Sequence, residues 1–244
     1  MVNNRYRIKR LLILLFTQVV FDMITIFVFR IGMDNPLLLI IKKILLLLIL
    51  AMFNRYLLKT KIFYTFEFSG ETKKFFILIM IIEVLLAIMN PGKIIMAISI
   101  GLMAGIVEEY LCRGLIFGTL YQLFKRKKTI FGKLIVPILL TNLIFSSEHL
   151  LNLSSQSLII TGGQMIQTFG MGILFTCLYI RTQNLIVPMI AHFTLDSVMI
   201  FLLPITQSDQ VNPMITFGQA VVVMTIYILF GIKIIKPVFK QKFR

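Results

Sequence analysis

The stretch Glu108-Glu109-Tyr110-Leu111-Cys112-Arg113 lies in the middle of an apolar run from about Ile94 to Phe124. A run of that length is first of all a membrane-crossing helix, which needs about 20 apolar residues. Two adjacent carboxylates and a guanidinium at its centre are therefore costly. Each contributes about 2.5–3.5 kcal/mol at the bilayer midplane, so the three together cost about 8–10 kcal/mol before any pairing is credited. A chain keeps such groups where they pair, line a wet cavity or do chemistry.

The surroundings support a membrane setting. The chain has 244 residues, of which 58% are hydrophobic and 14% charged, with a mean hydropathy of +0.94. Soluble domains are about 45–50% apolar and about 25% charged. The fold class is all-α: a polytopic integral membrane helical bundle of about eight transmembrane helices. Residues 1–244 read as one membrane domain. No stretch is polar enough for a separate soluble domain. The net charge of +15 does not mark a nucleic-acid binder, because the basic residues fall in short segments between apolar runs, as membrane topology requires. Cys112 and Cys177 both lie inside apolar stretches, which points to packed thiols rather than a disulfide.

The spans follow in order. Arg5, Arg7, Lys9 and Arg10 precede an apolar run from Leu11 to Phe29. That run is too long for a signal peptide and no small-residue cleavage site follows it, so it reads as an uncleaved first span. A second span is interrupted by Lys42 and Lys43, its clean part running from Ile44 to about Leu58. The polar stretch Lys59–Lys74 reads as a solvent-exposed loop. Span 3 covers Phe75–Met89 and ends at the turn Asn90-Pro91-Gly92. Span 4 is Ile94–Phe124, closed by Lys125-Arg126-Lys127-Lys128, and spans 5 to 8 cover about 134–151, 158–180, 185–203 and 215–235. With both termini cytoplasmic, 20 Lys and Arg residues lie on the inner side, against four outside: Arg30, Lys42, Lys43 and Lys93. That is a strong positive-inside bias.

Helical periodicity divides the charges of span 4. Ala97, Gly101, Gly105, Glu109 and Arg113 recur every four residues and form one stripe. Gly101 and Gly105 permit close helix contact beside the acids. Glu109 and Arg113 can pair directly, whereas Glu108 points to a different sector, with no cation on its own helix face. Glu109 is thus expected to be a supporting carboxylate and Glu108 the chemically available one, suited to acting as general base or acid. The alternative is a charge network that only joins helices. His149 and His192, the two histidines of the chain, both fall in apolar spans. His149 follows Phe145 by four residues, and Asp196 follows His192 by four. One Glu, two His and one Asp on three helices can activate water, either as carboxylate and imidazole or as a His/His/carboxylate metal site. No His-Glu-x-x-His helix is present.

Glu-Glu-x-x-x-Arg (Glu108, Glu109, Arg113), Phe-x-x-x-His (Phe145, His149) and His-x-x-x-Asp (His192, Asp196) occur in this order, each on its own span. Together they resemble the CPBP family, the CAAX-prenyl-protease and bacteriocin-processing (Abi) intramembrane proteases. The resemblance covers about 108–196, within core helices at 94–203. It implies a helical bundle with a site in a membrane cavity. It also implies a catalytic role for Glu108, with His149 holding the attacking water, Glu109 and Arg113 supporting, and His192 and Asp196 stabilising an oxyanion. Many members carry Asn where this chain has Asp196, and an ionised Asp cannot donate to an oxyanion. Asp196 is then protonated, orients His192, or ligates a metal. The family is often labelled metal-dependent, while a metal-free glutamate mechanism has been proposed for it. A divalent ion such as zinc is compatible with the inventory, with Glu108, His149 and His192 as candidate ligands.

The expected partners are a peptide or protein substrate at the membrane and the lipid bilayer, and the expected location is the cell membrane, multi-pass. The alternatives are a bacteriocin self-immunity protein acting with or without proteolysis, and a transporter or proton relay. No inverted repeat supports the last. Asp22, Glu83, Asn142, Gln164 and Gln167 read as interhelical hydrogen-bonding residues.

Overall fold

A computed structural model describes residues 4–29, 36–202 and 212–241. Arg30, Leu203 and the last basic residues of the tail lie outside them. Among the described residues the chain forms eight helical rods and no strand. They are α1 (Asn4–Val28), α2 (Pro36–Leu58), α3 (Gly70–Met89), α4 (Pro91–Phe124), α5 (Phe131–Ser154), α6 (Leu158–Thr182), α7 (Ile186–Leu202) and α8 (Pro213–Gln241). Six of them, all except α3 and α7, are long and apolar enough to cross a membrane. The α3 helix carries Glu71, Lys73, Lys74 and Glu83, and α7 has 17 residues.

The helix ends follow local chemistry. Ser69 caps α3 by accepting the Thr72 N–H at 3.2 Å, and Ser157 caps α6 by accepting from Ile160 at 3.4 Å. Lys59 (φ 54°) and Gln183 (φ 51°) end α2 and α6 in the left-handed conformation.

Two expectations change here. The α2 helix is continuous through Lys42 and Lys43, because each ammonium finds an acid inside the bundle: Lys42 pairs with Asp22 at 2.9 Å and Lys43 with Glu108 at 3.1 Å. A paired lysine no longer breaks a span. The polar stretch after α2 is shorter than the sequence suggests, since α3 begins at Gly70, and it is not a free loop. The Tyr179 hydroxyl accepts from the Phe63 N–H at 3.1 Å, Leu185 N–H donates to the Phe63 carbonyl at 2.9 Å, and Asn184 joins Thr65. Ile62 packs into the buried core beneath.

Small residues set the helix spacing. A Cβ added at Gly105 would meet the Met189 carbonyl at 2.6 Å, and one at Gly101 the Phe193 carbonyl at 2.9 Å, so α4 and α7 touch backbone to backbone. Similarly, a Cβ on Gly170 would meet Met224 Cα at 2.7 Å, which brings α6 against α8. Gly105→Ala is expected to lower stability by about 1–3 kcal/mol, since backbone cannot rotate away as a side chain does. Gly218→Ala, where nothing lies within 4 Å, should be close to neutral. Unfolding midpoints of both variants in detergent test the contrast, and equal midpoints would refute it.

Interhelical polar contacts occur at Asp22, Glu83, Asn142 and Gln164, as the sequence suggests. Asp22 accepts from Gln18 and pairs with Lys42, and Glu83 on α3 accepts from Ser197 on α7 at 2.6 Å. Asn152 donates to Gln164 at 2.9 Å. Both cysteines are buried and unbonded.

Candidate active site

The α4 helix supplies three charges from its centre. Over Met103–Glu108 and Tyr110–Phe117 its backbone winds as π-helix, a wider turn common at functional sites. The wider turn keeps Glu109 and Arg113, four apart, in line on the buried side. Both are fully buried, at 0% exposure. Arg113 Nη1 donates to Glu109 Oε1 at 2.8 Å, and Nη2 donates to the Gly172 carbonyl at 2.9 Å and to Asn142 Oδ1 at 3.4 Å. The guanidinium carbon stands 4.8 Å from the Phe145 ring centre and 5.4 Å from that of Phe175, both within cation–π range. Asn142 is itself held by the Ile138 carbonyl and Thr176. The cation is thus wrapped by α4, α5 and α6, and a Cβ at Gly172 would strike Asn142 Oδ1.

Glu109 also reaches a fourth helix. Its Oε1 lies 2.8 Å from His192 Nδ1, so the carboxylate accepts from the ring and fixes the tautomer with hydrogen on Nδ1. His192 Nε2 faces Asp196 Oδ2 at 3.7 Å. His192 lies against Phe175, with ring centres 4.9 Å apart and planes tilted by 36°, and meets Phe145 edge-on at 6.1 Å. Phe145 meets His149 edge-on as well, at 5.4 Å. One aromatic ring therefore spaces the two imidazoles and covers the arginine. His149 sits where α5 tightens into a 3-10 turn, its Nδ1 3.3 Å from the Phe145 carbonyl. A carbonyl only accepts, so Nδ1 is the donor and Nε2 is left as an acceptor.

Glu108, His149, His192 and Asp196 line one cavity of about 780 Å³, within the size range of ligand sites. It is walled by α1, α2, α4, α5, α6 and α7. One expectation fails here: Glu108 does have a cation partner. Lys43, on α2 and 65 residues away, donates to Glu108 Oε1 at 3.1 Å. Adjacent residues on a helix point about 100° apart, so Lys42 and Lys43 reach two different neighbours, Asp22 on α1 and Glu108 on α4. Residue order on α4 cannot reveal a partner that comes from another helix.

A second residue was missed. Glu148, beside His149, also lines the cavity, and its Oε1 is buried without a hydrogen-bond partner. Its position next to a motif histidine was the available signal.

Among the described residues, no group of three or more His, Cys, Asp or Glu side chains is arranged to hold a metal ion. Glu108 is engaged by Lys43, and His192 Nδ1 by Glu109. Glu108 Oε2 and the Nε2 atoms of both histidines are outside these contacts.

Compared with known proteins, residues 90–198 match the family model Rce1-like, described as type II CAAX prenyl endopeptidase Rce1-like. No curated protein and no solved structure matches the chain. The matched segment encloses Glu108, Glu109, Arg113, Phe145, His149, His192 and Asp196. That match lies over all three motifs and the cavity they line, and it supports a CPBP-family intramembrane protease.

Proposed function

We propose that the chain is an endopeptidase that hydrolyses a peptide bond of a membrane-associated peptide or protein, with water activated by Glu108 and His149. The observation that carries this reading is the convergence of Glu108, His149, His192 and Asp196, from three helices, on one cavity. His149 Nε2 accepts one hydrogen of the water, because Nδ1 is committed to the Phe145 carbonyl. Glu108 takes the other proton as the water oxygen bonds to the scissile carbonyl carbon. Lys43 holds one oxygen of Glu108, which leaves the other for the proton. The tetrahedral intermediate carries its charge on the former carbonyl oxygen. His192 serves this oxyanion when Nε2 carries a proton, since Nδ1 donates to Glu109 throughout. Asp196, 3.7 Å from Nε2, orients the ring rather than donating to the oxyanion itself. Glu108 then returns its proton to the leaving nitrogen as the C–N bond breaks.

Glu109 and Arg113 act through His192 and the packing around it. CAAX-type and bacteriocin-type peptides are the substrate classes that the family description and the motifs suggest, and the cell membrane is the proposed location.

His149→Ala tests this reading. It should reduce turnover of a cleaved peptide by about 10²–10⁴-fold, the usual worth of a positioned acid–base group, with little change in unfolding midpoint, because the ring is only partly buried. A variant with full turnover would refute the water-activating role. Should His149→Ala and wild type protect cells equally in a bacteriocin-sensitivity assay, immunity by binding would be the better reading.

A further inference from the structure

We propose that the cavity opens on the face of the membrane away from the cytoplasm, so that its substrates are peptides or protein segments exposed outside the cytoplasm. The orientation stands on its own observations; the substrate class rests on the proteolytic reading above.

The fold gathers the basic residues at one end. Arg7 on α1 hydrogen-bonds Gln122 at the end of α4, and Arg10 donates to the Leu57 carbonyl at the end of α2. Thr60 meets Thr119 at 2.9 Å, and Leu185 donates to Phe63. These contacts bring together the start of α1, the α2–α3 connection, the α4–α5 turn and the α6–α7 turn. That end carries the N-terminal Arg and Lys residues, Lys59 and Lys61, the run Lys125-Arg126-Lys127-Lys128, and Arg181.

The cavity lies toward the other end. Its lining includes Ile26 and Phe27 from the end of α1, Leu39 from the start of α2, Ile100 from the first half of α4, and Ser154 and Ser155 from the α5–α6 turn. The lysines there do not present a basic surface. Lys42 and Lys43 are neutralised by Asp22 and Glu108, and Lys93 donates to the Phe201 carbonyl. Short cytoplasmic segments carry the Lys/Arg excess, so the basic end is the inner one and the cavity faces outward.

Thiol labelling in intact cells tests this. Ser155 and Ser154 are exposed on the α5–α6 turn, Lys127 is exposed at the basic end, and the native Cys112 and Cys177 are buried. Ser155→Cys, with Ser154→Cys as a second variant, should react with a membrane-impermeant maleimide in intact cells. Lys127→Cys should react only after permeabilisation. The reverse pattern overturns the orientation. The labelling needs no catalysis, so it gives the same answer in a Glu108→Gln background.

The substrate class is read separately, with a mixed-sequence quenched-fluorescent peptide library added to sealed vesicles of known sidedness. Cleavage by right-side-out vesicles, and loss of cleavage in inside-out vesicles until detergent is added, is the expected result. Cleavage by sealed inside-out vesicles alone overturns the substrate class. Outward labelling with no cleavage in either orientation, detergent included, counts against the proteolytic reading and leaves the orientation established.

Discussion

Glu108→Gln is expected to lower kcat/KM for peptide hydrolysis by at least about 10²–10⁴-fold, with the folded protein intact. The amide keeps the size of the carboxyl but cannot take a proton from water. Lys43 can still donate to the amide oxygen, so the contact between α2 and α4 survives in weaker form. The side chain is partly exposed to the cavity, at 25%, and the change in stability should be small beside the change in rate. Turnover of a peptide by purified protein, with its unfolding midpoint measured in parallel, separates the two. Retained turnover would remove Glu108 from the mechanism. Lys43→Met makes a useful contrast. It removes the cation and keeps the base, so a loss of about tenfold, equivalent to about 1.4 kcal/mol, is expected, well short of the loss for Glu108→Gln.

Arg113→Met should have the largest effect on folding. Its guanidinium has 0% exposure and donates to Glu109, Gly172 and Asn142 on three helices, under the rings of Phe145 and Phe175. Removing one member of a buried ion pair leaves the other charge without compensation, at about 3–5 kcal/mol. Glu109 would then keep only His192 among its present partners. A large drop in unfolding midpoint and in folded yield is expected. Glu109→Gln should cost less, because its amide oxygen still accepts from Arg113. An Arg113→Met variant as stable as wild type would show that the three helices hold without the cation.

The six residues in the middle of α4 were informative because two physical rules act on them at once. Charges in an apolar run need partners, and spacing by four assigns Glu109 to Arg113. Both rules operate within one helix, so they can be read from a string of letters. The spacing of Gly101 and Gly105 likewise announced a tight helix contact beside the acids, and the partner is α7. The pairing of Lys43 with Glu108 was not legible, because it joins residues 65 apart across two helices whose relative rotation is decided by packing. The same limit hid the contacts of the Lys59–Ser69 segment, which is largely exposed, as its polar letters suggest, yet has backbone bonded to Tyr179, Asn184 and Leu185. Glu148 has no spacing partner on its own helix, and only the assembled cavity distinguishes it from an ordinary polar helix end. The shared cavity is a property of six helices together and was accessible in the sequence only through the order of three motifs.

The clasp between Phe63 and the α6–α7 turn has a bearing on bioenergetics. Ile62 beneath it packs against the buried apolar clusters that hold Leu111, Leu115, Ile116, Phe175 and Leu185, and Leu111 also lines the cavity, so apolar packing lies behind the site on the clasp side. On the proposed hydrolytic reading, an apolar layer behind the site would let it draw water from one side while keeping ions from crossing, so that catalysis would not discharge the potential held by the bilayer.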